Sequence, residues 1–258
     1  MKHIKKRFLL ESDSDKLDFN DPSLEVIDIK PDLPNQILSD KKNSVAYVQT
    51  ETGNIYGGFV HKVDGKNLVF PIPDPTLIYF NNAQQSIRLI KSLRQKLIDK
   101  VDFTKSLSES ALNEIYHYFG TTSGFVIFLF TSIESFINQQ IPDNFIFRKE
   151  LNRKTEIYNK AQIQEFLDFR TKITKVLSQA TGKDFFLKQT SSNQVIWNLK
   201  NFRDDIIHTK TDIGPLKYDK LIKTSLNFKY EKALESVANF MNFYKSDYIL
   251  ECGCGADH

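Results

Sequence analysis

The sequence predicts a mainly α protein, an antiparallel helical bundle carrying a small N-terminal β-meander, and three observations predict it. Apolar residues recur at three- and four-residue intervals through most of the chain after residue 80, whereas β-branched and aromatic runs broken by glycine turns fill the stretch before it. Between the two textures, "PIPDPTLIYF" places Pro71, Pro73 and Pro75 within five residues, a stiff boundary. Residues 1–78 are therefore assigned to a β-rich element, 79–248 to the bundle and 249–258 to a C-terminal tail. At 258 residues, 40% hydrophobic and 26% charged, the chain is long and apolar enough for one sizeable core.

The β element is read first. "LEVIDIKPDL" alternates Ile27 and Ile29 with Asp28 and Lys30, and residues 45–72 carry turn signals at Thr52-Gly53-Asn54 and at Asp64-Gly65. Asp-Gly favours a two-residue hairpin. An antiparallel meander over about residues 45–72 follows.

After the prolines the period changes. Ile87, Ile90, Leu93, Leu97 and Val101 form the stripe of an amphipathic helix, with Arg88, Lys91, Lys96 and Lys100 off it. A short helix from Ser108 stops at Gly120, and a strongly apolar helix over about residues 122–140 ends at Ile141-Pro142. A charged connector leads to one helix with a stripe of Ile163, Phe166, Ile173 and Leu177, closed by Gly182. A helix over about residues 192–208 comes next, and Ala233, Leu234, Val237, Met241 and Tyr244 mark the last.

Composition excludes some functions. A net charge of +3 is too small to mark a general nucleic-acid binder, so any such site must be local. The start, "MKHIKKRFLLESDSD", has an apolar run of only Phe8, Leu9 and Leu10, too short for a secretory signal. The longest apolar stretch, residues 124–137, is interrupted by Glu134 and falls below the roughly 20 residues of a membrane span. A cytoplasmic protein with no membrane partner is expected. Cys252 and Cys254 with His258 are fewer ligands than the about four a structural zinc takes. No metal and no cofactor are expected.

Chemistry concentrates in "NLKNFRDDIIHTKTD". Val195, Leu199, Phe202 and Ile206 form the core stripe of its helix, and Arg203 sits beside that stripe. Five residues at about 100° each carry His208 about 140° round from Arg203, so the two do not share a face of a straight helix. Either the helix unwinds near Ile207, ahead of Gly214 and Pro215, or two chains place their Arg and His pairs across a two-fold axis. On the apolar helix, Glu134 and Asn138 share a face at i, i+4.

"NFRDDIIHTK" resembles the R-x-x-x-x-H motif of the HEPN superfamily, helical domains of many prokaryotic toxins and phage-defence proteins. "FLFTSIESFINQQIP" is similar to their second bundle helix, and the likeness covers roughly residues 82–246. The resemblance implies a metal-independent endoribonuclease, a hydrolase acting as a homodimer on RNA, with an antitoxin or regulatory partner. His208 would be general acid or base, and Arg203 would stabilise charge building on phosphorus. Asp204 would orient or polarise one of them, with Glu134 and Asn138 holding Arg203 from the neighbouring helix. Arg88, Lys96 and Lys210 are the candidate RNA-binding cations. Two features depart from the family: Lys210 stands where some HEPN toxins carry a modified tyrosine, and the β element lies outside the likeness. The plain alternative is an Arg203–Glu134 bridge and a histidine favourably placed at a helix C-terminus. In that case the chain is a non-catalytic interaction module whose β element binds a partner or ligand.

Overall fold

The computed structural model describes residues 4, 35–41, 45–49, 55–101, 109–208 and 218–253. The chain divides into two compact units, one of Met1–Lys6 with Pro75–His258, the other of Arg7–Asp74.

In the smaller unit, α1 (Asn35–Asp40) accompanies a three-stranded antiparallel sheet of β1 (Val45–Gln49), β2 (Ile55–Val63) and β3 (Lys66–Pro71), in that order. The expected Asp64-Gly65 turn joins β2 to β3, and both residues take positive φ, 49° and 82°, as a type I′ turn demands. Gly58 faces the tightest backbone approach: a Cβ there would lie 2.9 Å from the Phe70 carbonyl oxygen. The turn signal at Thr52-Gly53-Asn54 and the run at Ile27 and Ile29 lie outside the described residues.

The larger unit is mostly helical. α2 (Pro75–Lys100) begins earlier than expected, because proline is tolerated at the first helical position, where its missing N–H would be unpaired anyway. Ile87, Ile90, Leu93 and Leu97 are buried on it as the stripe requires. The two helices expected on either side of Gly120 are one, α3 (Glu109–Gln140). Gly120 carries no cap and disfavours the helix by about 1 kcal/mol, far less than the burial on either side of it supplies. Tyr118, Phe125, Val126, Leu129, Phe130, Ile133, Phe136 and Ile137 are all at most 2% exposed. By length and composition residues Leu112–Gln140 could cross a membrane, and half of their most apolar window is buried inside this unit. α3 is its central helix, packed by α2, α7 and α9.

The expected charged connector contains a hairpin, β4 (Phe147–Leu151) with β5 (Lys154–Tyr158). The single helix expected over residues 161–182 is broken into α4 (Lys160–Phe166), α5 (Phe169–Thr171), a π-helical stretch (Lys172–Val176) and α6 (Leu177–Thr181). Asp168 causes the break: its carboxylate accepts from the Thr171 N–H at 3.0 Å and from the Thr171 hydroxyl at 2.6 Å, starting a new helix. Phe166 consequently lies outside the core, and Leu167 replaces it. Gly182 caps α6 with φ of 70°.

α7 (Ser191–Ile207), α8 (Asp219–Asn227) and α9 (Tyr230–Tyr244) complete the unit. A buried polar knot ties three helices together. The hydroxyls of Tyr118 and Tyr230 donate to the Ser225 carbonyl at 2.9 and 2.7 Å, and Thr122 shares a hydrogen with the Ser225 hydroxyl at 3.1 Å. Burial pushes the Tyr230 hydroxyl well above its ordinary range and that of Tyr244 up to about 12. Beyond α9 the expected tail begins docked: Asn242 donates to the Ile249 carbonyl and accepts from its N–H at 2.9 and 2.8 Å, and Glu251 bridges Ile4.

Candidate functional site

α7 is started by Thr190, whose hydroxyl accepts from the Asn193 N–H at 3.2 Å. It buries Asn193, Ile196, Leu199 and Phe202, a stripe turned slightly from the expected one, so Val195 and Ile206 are only half-buried. This turn of the helix places Arg203 at the edge of the core. The guanidinium lies over the Phe130 ring of α3, 4.9 Å from its centroid, and donates from Nη1 to Asp204 Oδ1 at 3.2 Å. Its side chain keeps 28% exposure.

Asp204 also receives the Lys200 ammonium at 2.6 Å. Burial opposes ionisation of its carboxyl, but the hydrogen bonds from Lys200 and Arg203 outweigh it and hold the group below the usual carboxylate range. Asp204 thus fixes Arg203 directly. Toward His208 its contact is through the backbone, the His208 N–H donating to the Asp204 carbonyl at 2.9 Å.

α7 stays regular to Ile207, and His208 is its C-cap residue, exposed, with φ of −95° and ψ of 12°. The unwinding considered near Ile207 therefore comes only at His208 itself. Among the described residues no hydrogen bond or ion pair joins Arg203 to His208 within one chain.

Glu134 and Asn138 do not hold Arg203. Phe130, one turn earlier on α3, occupies the place under the guanidinium. Glu134 instead lies within electrostatic reach of Lys172 in the π-helical stretch, whose ammonium burial lowers below its ordinary range while Glu134 and Asp168 work against that lowering. Lys172 donates to the Gln164 carbonyl at 2.6 Å. Asn138 and Glu134 line an open groove on α3. Arg88 and Lys96 are exposed on α2, and Lys210, Cys254 and His258 lie outside the described residues. His117 is exposed on α3.

Several neighbours of Arg203 had no local signal. Phe130 packs on Phe169 at 4.7 Å, Phe169 on Trp197 at 6.0 Å and Trp197 on Phe186 at 5.4 Å, while Arg170 stacks over Trp197 at 5.5 Å. This aromatic row with an arginine near each end joins residues far apart in sequence, which helical spacing cannot reveal. Lys200, at i−4 from Asp204, was not singled out in the sequence, although that spacing is the signal that would have found it as an ion-pair partner.

Comparison with known proteins adds no identity: no family model, curated protein or solved structure matches the chain. What is defined is a class, a mostly helical protein with small antiparallel sheets. The likeness to HEPN proteins rests on the residues quoted for it.

Proposed function

We propose that the chain is a metal-independent endoribonuclease of the HEPN type, a cytoplasmic homodimer that cuts RNA in a toxin or phage-defence role. The observation that carries this reading is the state of Arg203. It is a part-exposed guanidinium held by a ring and a carboxylate at the end of a helix whose next turn ends in an exposed histidine.

The absence of a hydrogen bond or ion pair between Arg203 and His208 within one chain supports a composite site, Arg203 of one protomer meeting His208 of its partner. The imidazole takes the proton of a ribose 2′-hydroxyl, and that oxygen bonds to the adjacent phosphorus. The bond from phosphorus to the 5′-oxygen breaks, and the departing oxygen takes a proton from an imidazolium. The products are a 2′,3′-cyclic phosphate and a 5′-hydroxyl. Arg203 stabilises the charge on the phosphoryl oxygens as it builds. An antitoxin or regulatory partner would act by covering this site.

The test is cleavage of single-stranded RNA in excess chelator by wild type, Arg203→Ala and His208→Ala, with mass measured by size exclusion. Both variants lose cleavage, remain dimeric and, for His208→Ala, keep the wild-type Tm, because an exposed side chain contributes little packing. Mixing the two variants restores roughly a quarter of the wild-type rate, since half the dimers are mixed and each carries one intact composite site. Variants that cut like wild type would sink the proposal.

A second reading, a non-catalytic interaction module, is favoured by one observation. The sheet of the smaller unit leaves Tyr47, Phe59 and Leu68 on one face at 45%, 41% and 42% exposure. That reading expects no cleavage by any variant.

A further inference from the structure

Arg170 has no part in the Arg203 and His208 pair, yet the fold holds it in a similar way. It follows the Asp168 cap that starts α5, and its guanidinium lies over the Trp197 ring of α7, 5.5 Å from the centroid. A guanidinium laid on a ring loses water from one plane and keeps its other plane and its N–H edges for a partner. Arg170 is exposed, and among the described residues no hydrogen bond or ion pair engages its guanidinium. Asp168, two residues before it, directs its carboxylate to Thr171.

α7 sets the Trp197 ring in line with Arg203. Asn193, Ile196, Leu199 and Phe202 form its buried row at intervals of three, and Trp197, Lys200 and Arg203 directly follow the last three of them. The same interval therefore carries a second row along the edge of the core, and its members are half-buried. From Trp197 to Arg203 this row spans about 9 Å of helix axis. Arg170 covers the ring at one end and Phe130 seats the guanidinium at the other, with Phe169 between those rings at 6.0 and 4.7 Å.

Charge along the strip does not cancel. Asp204 is shared by Lys200 at 2.6 Å and Arg203 at 3.2 Å, so one carboxylate answers two cations there and none among the described residues answers Arg170. The surplus is positive and stands beside the half-buried Phe169 and Trp197.

Single-stranded RNA meets both features. Its phosphates neutralise the cations, and its unpaired bases stack on guanidinium planes and aromatic side chains, whereas an acidic polypeptide would meet the charges alone. We infer that the strip of Arg170, Trp197, Lys200 and Arg203 is the track along which single-stranded RNA reaches the cleavage site, Arg170 binding a backbone phosphate away from the scissile one. Its direction toward His208 rests on the ribonuclease reading, whereas its ligand rests on the pairing of cations with rings.

Fluorescence anisotropy of the full chain with a labelled single-stranded 2′-O-methyl RNA of about 12 nucleotides, which lacks the attacking hydroxyl, reads binding apart from cleavage. Arg170→Met keeps an aliphatic cover on Trp197 and removes the charge. It weakens binding at least about fivefold and flattens the slope of log Kd against log salt by about 0.7, the share of one phosphate, with Tm unchanged. If Arg170→Met fails to fold, the equally uncharged Arg170→Gln is read in its place. Arg170→Lys restores the salt slope. Lys245→Met, which removes a cation from the Tyr248 ring outside the strip, changes neither quantity. No binding by wild type, wild-type affinity or salt slope in Arg170→Met, or an equal loss in Lys245→Met overturns the track. So does polyglutamate that displaces the labelled RNA as well as unlabelled RNA does at equal charge, since the strip would then be a surface for acidic polypeptides. Binding that depends on Arg170 in a chain that cuts no RNA keeps the track and removes the nuclease. Cleavage with wild-type kcat/KM in Arg170→Met does the reverse.

Discussion

Arg203 shows how one side chain can be held at a surface without being buried as an ion pair. The Phe130 ring removes its guanidinium from water on one side, and Asp204 neutralises part of its charge from the adjacent position. Asp204 in turn depends on ionisation. Its folded-state value lies below the usual one, so its contribution to stability is complete above about pH 4, where the unfolded chain is also ionised, and fades as pH falls through the lowered folded value. Urea midpoints of wild type and Asp204→Asn should therefore differ by a constant amount between about pH 5 and 7 and converge below about pH 4. A difference that ignores pH would mean that Asp204 acts through shape alone. At this scale the motif was legible and its surroundings only in part: Arg203, Asp204 and His208 stand out by spacing, whereas Phe130 comes from a helix about seventy residues earlier. The expected tie from Glu134 to Arg203 is absent among the described residues; the guanidinium lies over Phe130 and pairs with Asp204 instead.

Elements were legible where a single local rule decides. The Asp64-Gly65 hairpin, the buried stripe of α2, the Gly182 cap and every apolar position named on α9 follow from turn chemistry or helical period. They were misread where two rules compete. Gly120 signals a stop, yet burial on both sides of it carries α3 through. Residues 147–158 look like a connector because charges dominate, although Phe147 is buried and packs beside Tyr158 across the hairpin. Asp168 sits inside a helical pattern but binds the Thr171 N–H, and local capping wins over period there. α8 was missed altogether. Gly120 offers a direct measure of one such competition. It is exposed, and a Cβ there meets nothing within 4 Å. Gly120→Ala should stabilise the protein by about 0.5–1 kcal/mol, read from urea or thermal unfolding. A destabilised variant would show that α3 needs a flexible point at this turn.

For the molecule as a whole, the contacts of α3 are separated widely in sequence. Its apolar surface is covered by α2 before it, but also by α7 and α9 far after it, and Tyr118 reaches Ser225 across 107 residues. A chain ended after residue 182 lacks α7 and α9 and should therefore partition into the insoluble fraction on expression, while the full chain stays in the supernatant. Recovery of soluble, monodisperse 1–182 would show that α2 suffices to shield the central helix. The same separation has a meaning during synthesis. α3 leaves the ribosome as a long apolar segment, and the last helix that covers it is completed about a hundred residues later. At roughly 5–20 residues per second that interval is on the order of ten seconds, during which the apolar face of α3 lacks the cover that α7 and α9 supply in the finished fold. The apolar residues that hold the finished core together are thus the same ones that the unfinished chain leaves uncovered until α9 has been made.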